Sequence, residues 1–201
     1  ASGGSTSSVL PDQVSAIEPY SKVLTPGVMK PDVAYWLTKE CDKRELSFSG
    51  ALNCAIEEST VGERWCANLL PQDEFIRDNI RSDDILVVSV GGNDIALKPA
   101  PCTIVNMIGL ICCTPTYCIE HGDACPLPCD DCCCGCGFGC LSTMCACPPC
   151  GGYFAHLFRI RIQNYLRRLT AKTKPRAILI NMIYYPDEKS TGSWADRTLN
   201  I

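Results

Sequence analysis

Two nearly continuous aliphatic runs, Ile85-Leu-Val-Val-Ser-Val90 and Ala177-Ile-Leu-Ile-Asn-Met-Ile183, stand out along the chain. Charge and proline flank them, Asp83-Asp84 before the first and Lys174-Pro175-Arg176 before the second. Such runs predict core strands covered on both faces in a parallel sheet. Between them, Phe154, Leu157, Phe158, Ile162, Tyr165, Leu166 and Leu169 recur at helical spacing over Tyr153 to Thr170. Arg159, Arg161, Arg167 and Arg168 fall largely elsewhere on that turn. Strand, excursion, helix, strand predicts a βαβ crossover with a long interruption.

Upstream the apolar periods are shorter. Pro31 suits the first turn of a helix running from Asp32 to Glu40, with Val33, Trp36 and Leu37 on one face. A second helix is predicted to start after Ser59 or Thr60 and run through Trp65 and Leu69. A third covers Asp73–Ile80, with acids in its first turn and Phe75, Ile76 and Ile80 on its apolar face. Each predicts a surface helix laid on a sheet. The opening Ala-Ser-Gly-Gly-Ser-Thr-Ser-Ser predicts a flexible tail over residues 1–10. No apolar run reaches the roughly 18 residues of a membrane-spanning helix. The start at Ala1 and the helix-like ending Trp194-Ala-Asp-Arg-Thr-Leu-Asn-Ile201 carry the expectation of a processed chain or a fragment, cut short at its C-terminus.

Composition changes this picture in one place. Hydrophobic residues make up 46% and charged residues 20% of 201, with a net charge of −4, which excludes a disordered chain and an overall basic nucleic-acid footprint. Thirteen of the 17 cysteines, however, lie in the 39 residues from Cys112 to Cys150. Charge breaks at the edges of that patch. Residues 1–100 hold 15 acids and 9 bases, residues 101–150 hold 4 acids and no Lys or Arg, and residues 151–201 hold 9 bases and 3 acids. The expected organisation is therefore an α/β core from residues 11–101 and 151–201, with an irregular cysteine-rich module, 102–150, inserted in the crossover.

The chemistry-bearing motif follows the first aliphatic run: Gly91-Gly92-Asn93-Asp94. Ligands in open α/β sheets bind beyond the carboxyl ends of strands, and glycines there let the backbone turn sharply beside a substrate. Asn93, projecting from such a turn, can donate a side-chain N–H to a developing oxyanion. Gly-Gly-Asn-Asp is equally a strand-ending turn in which Asn or Asp caps the next helix. Phosphate-binding loops, Rossmann fingerprints and paired-carboxylate constellations are absent from the sequence.

An aliphatic strand ending in Gly-x-Asn-Asp resembles the third conserved block of the SGNH (GDSL-type) hydrolases, matched here by Gly91, Asn93 and Asp94. Leu52-Asn53-Cys54-Ala55-Ile56-Glu57-Glu58, about 40 residues upstream, is similar to the family's second block, Asn-x-Gly-x-x-Gly. There Asn53 fits, Ala55 is a mild change, and Glu58 replaces the glycine whose backbone N–H serves the oxyanion hole. Ile178 to Pro186 is similar to the next core strand and its Tyr-Pro exit. The resemblance implies a flavodoxin-like three-layer α/β sandwich and ester hydrolysis, with Asn93 as an oxyanion residue. The family's Gly-Asp-Ser nucleophile block has no counterpart, since Ser47 and Ser49 lie too close to Asn53. Its Asp-x-x-His base has none either, because neither His121 nor His156 follows an Asp by three residues. An activated nucleophile needs both partners. The expectation is a pseudoenzyme serving as an accessory subunit of a larger assembly, an organellar membrane-associated one being a candidate. The alternative is a partial chain of an active esterase or lipase acting on an acyl or acetyl ester.

The cysteine patch admits three readings. Disulfides among Cys102, Cys112, Cys113, Cys118, Cys125, Cys129, Cys132, Cys133, Cys134, Cys136, Cys140, Cys145, Cys147 and Cys150 would hold a segment too poor in large apolar residues to form a core. They imply an oxidising compartment, secreted or an organelle lumen, and the odd total leaves one thiol over. Zinc is the second reading, through Cys129, Cys132, Cys147 and Cys150, two CxxC pairs separated by 14 residues. Apart from this zinc no cofactor is expected. The third is acylation of Cys112-Cys113 or of Cys132-Cys-Cys-Gly-Cys136 at a cytosolic membrane face. Arg159, Arg161, Arg167, Arg168, Lys172, Lys174 and Arg176 carry no acid between them. They are either the solvated face of a helix or a docking stripe for an acidic partner.

Overall fold

The computed structural model describes residues 13–46, 50–64, 66, 68–128 and 141–181. The chain divides into two units, residues 1–54 and 55–201. The boundary falls inside the first stretch of the expected core, not at the edges of the cysteine-rich segment.

In the first unit, β1 (Val14–Ser15) pairs antiparallel with β2 (Val28–Met29), and α1 spans Val33–Lys43. Asp32 caps α1, its carboxylate accepting from Tyr35 N at 2.9 Å. The predicted inward face is reversed. Ala34, Tyr35 and Thr38 are buried, whereas Val33, Trp36 and Leu37 are exposed. Apolar residues occupy more than one side of this helix, and periodicity alone does not rank those sides.

In the second unit, α2 (Pro71–Asn79) leads into β3 (Ile85–Ser89), followed by α3 (Gly92–Ala96), α4 (Pro101–Cys113) and α5 (Thr116–His121). A short antiparallel pair, β4 (Asp123–Ala124) with β5 (Ala146–Cys147), precedes α6 (Pro149–Ala155). A π-helical turn, His156–Arg161, then joins α6 to α7 (Ile162–Leu169), and β6 (Ala177–Asn181) follows. The two aliphatic runs pair parallel, in register from Ile85 with Ala177 to Ser89 with Asn181. Leu86 and Val88 pack with Tyr165 and Leu169 of α7, and Ile76 and Ile80 lie against this cluster from α2. Full burial of one such side chain stabilises by about 1.5–3 kcal/mol.

Three further expectations are corrected. Both strands were expected to be covered on two faces, but β3 alternates, with Leu86 and Val88 buried and Ile85 and Val87 exposed; Ile178, Leu179 and Ile180 of β6 are exposed too. Among the described residues the packed helices lie against one side of β3. Of the helix predicted through Trp65 and Leu69, the described residues show a single 3-10 turn, Gly62–Arg64. Cys66 then takes φ 51°, and Leu70 is extended before Pro71, as a residue preceding proline must be. Finally, the described stretches of the cysteine-rich segment are largely regular: α4, α5, the short β4–β5 pair and the start of α6. Buried Thr103, Asn106 and Ser142 anchor them, with Thr103 Oγ1 2.5 Å from Tyr153 Oη. No helix of the described residues is long and apolar enough to cross a membrane.

Candidate functional site

The turn after β3 is shaped by Gly91. Its φ is 100°, in the left-handed region, and a Cβ there would sit 2.8 Å from Phe158 Cε1, so both backbone conformation and space require glycine. Gly92 has no heavy atom within 4 Å of a would-be Cβ, so its lack of a side chain is not a packing requirement. Gly91 is the N-cap of α3, which places Asn93 and Asp94 in its first turn.

These two side chains tie the turn to residues 59–62. Asn93 Nδ2 donates to Ser59 O at 3.0 Å. Asp94 is 4% exposed and accepts from Val61 N at 2.8 Å and Gly62 N at 2.7 Å. The turn after β3 is therefore joined to residues 59–62, which follow directly on the segment 52–58. Glu58 stands beside this joint with φ 63°, a left-handed backbone that favours glycine, and its carboxylate lies 3.4 Å from Lys98 Nζ. Asn53 belongs to the other unit, where its Nδ2 donates to Asp32 Oδ2.

The 59–64 turn is held from within. Thr60 N donates to Glu63 Oε2 and Glu63 N to Thr60 Oγ1, at 2.9 and 3.1 Å. Thr60-Val-Gly-Glu63 has the spacing of a capping box, a signal not drawn on in reading the sequence. Below it, Arg64 and Asp73 form a buried bidentate ion pair at 2.7 and 3.0 Å, and Tyr165 Oη donates to Asp73 at 2.8 Å. No periodic or charge signal distinguished this pair from surface charges.

An open cleft of about 270 Å³ lies beside the joint, lined by Ile56, Glu57, Ser59, Glu63, Leu70, Pro71, Gln72 and Lys98. Gln72, Glu63 and Lys98 were not singled out by the sequence. Burial pushes the Asp94 carboxyl above its ordinary range, against the opposing pull of the Val61 and Gly62 N–H groups and of Arg161 and Arg64. The folded chain then holds more protons at Asp94 than the unfolded chain does. Stability from this group is complete below pH 3.8 and is lost as pH rises through the elevated folded value. Asp94→Asn is expected to flatten that slope, measured as the difference between wild-type and variant urea midpoints across an acid pH series.

The histidines lie elsewhere. His121 is exposed, stacked on Tyr117 with ring centroids 4.3 Å apart. His156 is buried in the π-helical turn, where Arg161 Nε lies 3.4 Å from its Nδ1. Arg161 is 3% exposed, which removes it from the docking stripe; Arg168 donates to Arg64 O, and Lys172 pairs with Asp78 at 2.9 Å. Arg159, Arg167, Lys174 and Arg176 remain as exposed cations of that run.

Cys112, Cys113, Cys118, Cys125, Cys147 and Cys150 are thiols in this structure. Cys129, Cys132, Cys133, Cys134, Cys136 and Cys140 lie outside the described residues, as do Ser47, Ser49 and the Tyr-Pro exit. Among the described residues no three His, Cys, Asp or Glu side chains gather as a metal would need, and half of the zinc quartet falls beyond them. No family model, curated protein or solved structure matches this chain.

Proposed function

We propose that this chain is an SGNH-hydrolase-like domain that works as a binding or structural subunit, without a nucleophile of its own. One observation carries the reading: the Asn93 amide is spent on the Ser59 carbonyl, beside Glu58 in the glycine position of the second block. An oxyanion donor must be aimed at the reacting oxygen instead. The parallel β3–β6 pair, joined through helices, supports a flavodoxin-like core. Partners in a larger assembly dock on the cysteine-rich module or on Arg159, Arg167, Lys174 and Arg176. Disulfides formed in an oxidising lumen stabilise that module, and mass measurement with and without reductant and chelator separates them from zinc. An assay with p-nitrophenyl acetate tests the central reading. Wild type and Asn93→Ala are expected to show the same background rate, and Asn93-dependent turnover would overturn it.

A second reading, a partial chain of an active ester hydrolase, draws on a different observation. Glu58 already has the left-handed backbone that a glycine would supply, at the point where the two blocks meet. Under that reading, adding an upstream Gly-Asp-Ser segment and a downstream Asp-x-x-His segment restores ester turnover.

A further inference from the structure

The Cys150 thiol is aimed at α4. A Cβ built on Gly109 of that helix would lie 3.9 Å from Cys150 Cβ and only 2.5 Å from its Sγ, so the Cβ–Sγ bond of Cys150 points at the Gly109 position. Glycine leaves that space to the sulfur. Two further contacts orient the helix. Tyr153 Oη lies 2.5 Å from Thr103 Oγ1, and Thr143 Oγ1 donates to Asn106 Oδ1 at 3.0 Å. The face of α4 that carries Thr103, Asn106 and Gly109 is therefore turned toward residues 142–153. From Tyr153 back to Cys150 the contacts climb α4 from Thr103 to Gly109, toward its C-terminal end at Cys113.

We propose that in the oxidised chain Cys150 is disulfide-bonded to Cys113, fastening α6 to the last turn of α4. Helix geometry selects the partner. Cys113 is four residues beyond Gly109, which puts its Cβ about 5–6 Å from the Gly109 position, and a helical side chain leans back over the turn before it. It lies about 40° around the helix from Gly109 on the side of Asn106, whereas Cys112 lies about 60° to the other side, with exposed Val105. Cys102 shares the face but is about 10 Å down the axis. Cys147 is not on α4, where the sulfur points. A disulfide brings two Cβ atoms to about 3.5–4.5 Å, and Cys113, the final residue of α4, has a helix end in which to adjust. Exposure sets the order of reaction. Cys113 is exposed and Cys150 half-buried, and the oxidant is a small disulfide, oxidised glutathione. The Cys113 thiolate attacks one of its sulfurs and releases one glutathione thiol; the Cys150 thiolate then attacks the Cys113 sulfur of the mixed disulfide and releases the second. One S–S bond forms in the protein and one breaks in the oxidant, which takes the two electrons, and the two protons go to the released thiols. The link rests on the reading of the cysteine-rich module as disulfide-bonded and names one pair within it. It closes a loop over residues 114–149, which removes freedom from the unfolded chain.

The full chain is equilibrated with oxidised glutathione, digested with pepsin without reduction, and its linked fragments are sequenced by mass spectrometry. A Cys113–Cys150 link is expected. Gly109→Cys is expected to capture Cys150 instead, because its Cβ falls 3.9 Å from Cys150 Cβ, and this checks the aim of the sulfur independently of Cys113. Under the same conditions Cys113→Ser and Cys150→Ser are each expected to lower the urea midpoint by about 1–2 M, and the double variant no further, since one bond is lost in all three. In reductant the variants are expected to unfold with the wild type, which shows that serine itself is tolerated. Cys150 bonded to any other cysteine of the wild-type chain, Cys150 still open to alkylation after oxidation, additive losses in the double variant, or no 109–150 link in Gly109→Cys overturns the proposal. If the other cysteines of the module pair while these two do not, the disulfide reading stands and this link alone falls; thiols throughout the module would end both, so the two failures are distinguishable.

Discussion

Replacing Asp73 with alanine is expected to destabilise the second unit by about 3–5 kcal/mol, the cost of stranding a buried charge. Asp73 is 1% exposed and accepts from Arg64 at 2.7 and 3.0 Å, from Tyr165 Oη at 2.8 Å and from Leu70 N at 2.9 Å. Alanine removes every one of these acceptors. It leaves the Arg64 guanidinium, itself 4% exposed, in a site where water does not replace the carboxylate. The loss is local in origin but wide in reach, because Asp73 links the 59–64 turn to α2 and to α7. Removing both charges separates pairing from packing. Arg64→Met with Asp73→Leu is expected to recover most of the loss, since apolar replacement of a buried pair is often near neutral. Urea unfolding of the two single variants and the double variant gives the coupling. A loss below about 1 kcal/mol for Asp73→Ala would mean that the pair is worth no more than an exposed one.

That ion pair marks where the sequence stops being informative. The aliphatic runs at 85–90 and 177–183 announce strands through four consecutive apolar residues in Ile85–Val88 and three in Ile178–Ile180, although of these only Leu86 and Val88 are buried. Their parallel pairing follows from the helical period between them. Gly91 and Asp94 were legible as a strand-ending turn, and left-handed Gly91 is the residue type that such a turn requires. Arg64, Asp73 and Arg161 were not legible, because a charged residue reads as a solvated one until its partner is known. Their burial depends on contacts that cross 9 residues for Arg64–Asp73 and 92 for Asp73–Tyr165. The 59–64 turn failed for a different reason. Its capping-box spacing starts a helix, yet Cys66 in a left-handed conformation and Pro71 end the run, so the local signals conflict. Glu58 shows the reverse case. A resemblance flagged the position as one where glycine is expected, and Glu58 there has a left-handed backbone, φ 63°, the conformation that favours glycine.

Gly152→Ala in α6 is expected to cost about 3 kcal/mol or more, although the same change in an ordinary helix stabilises by about 1 kcal/mol. The sign reverses because of what lies against the helix. A Cβ on Gly152 would overlap the Ser142 carbonyl oxygen, and it would lie 2.9 Å from Ser142 C and 3.2 Å from Ala146 Cβ. Two of these three atoms are main chain, so no side-chain rotation relieves the contact and α6 or residues 142–146 must shift. Neither shift is free. Ser142 is 0% exposed and its hydroxyl accepts from Leu127 N at 2.9 Å. Tyr153, the next residue of α6 and also 0% exposed, sits with its hydroxyl 2.5 Å from Thr103 Oγ1 of α4. Separating α6 from the 142–146 segment therefore exposes two buried polar anchors of the cysteine-rich stretch. Gly151→Ala is the control within the same helix. Its would-be Cβ meets only Pro148 ring atoms, at 3.9 Å, and it is expected to stabilise by about 0.5–1 kcal/mol. Urea midpoints read the opposite signs, and limited proteolysis is expected to cut the Gly152→Ala variant faster on either side of Ser142. Equal midpoints for the two variants would mean that α6 does not depend on close approach to that segment.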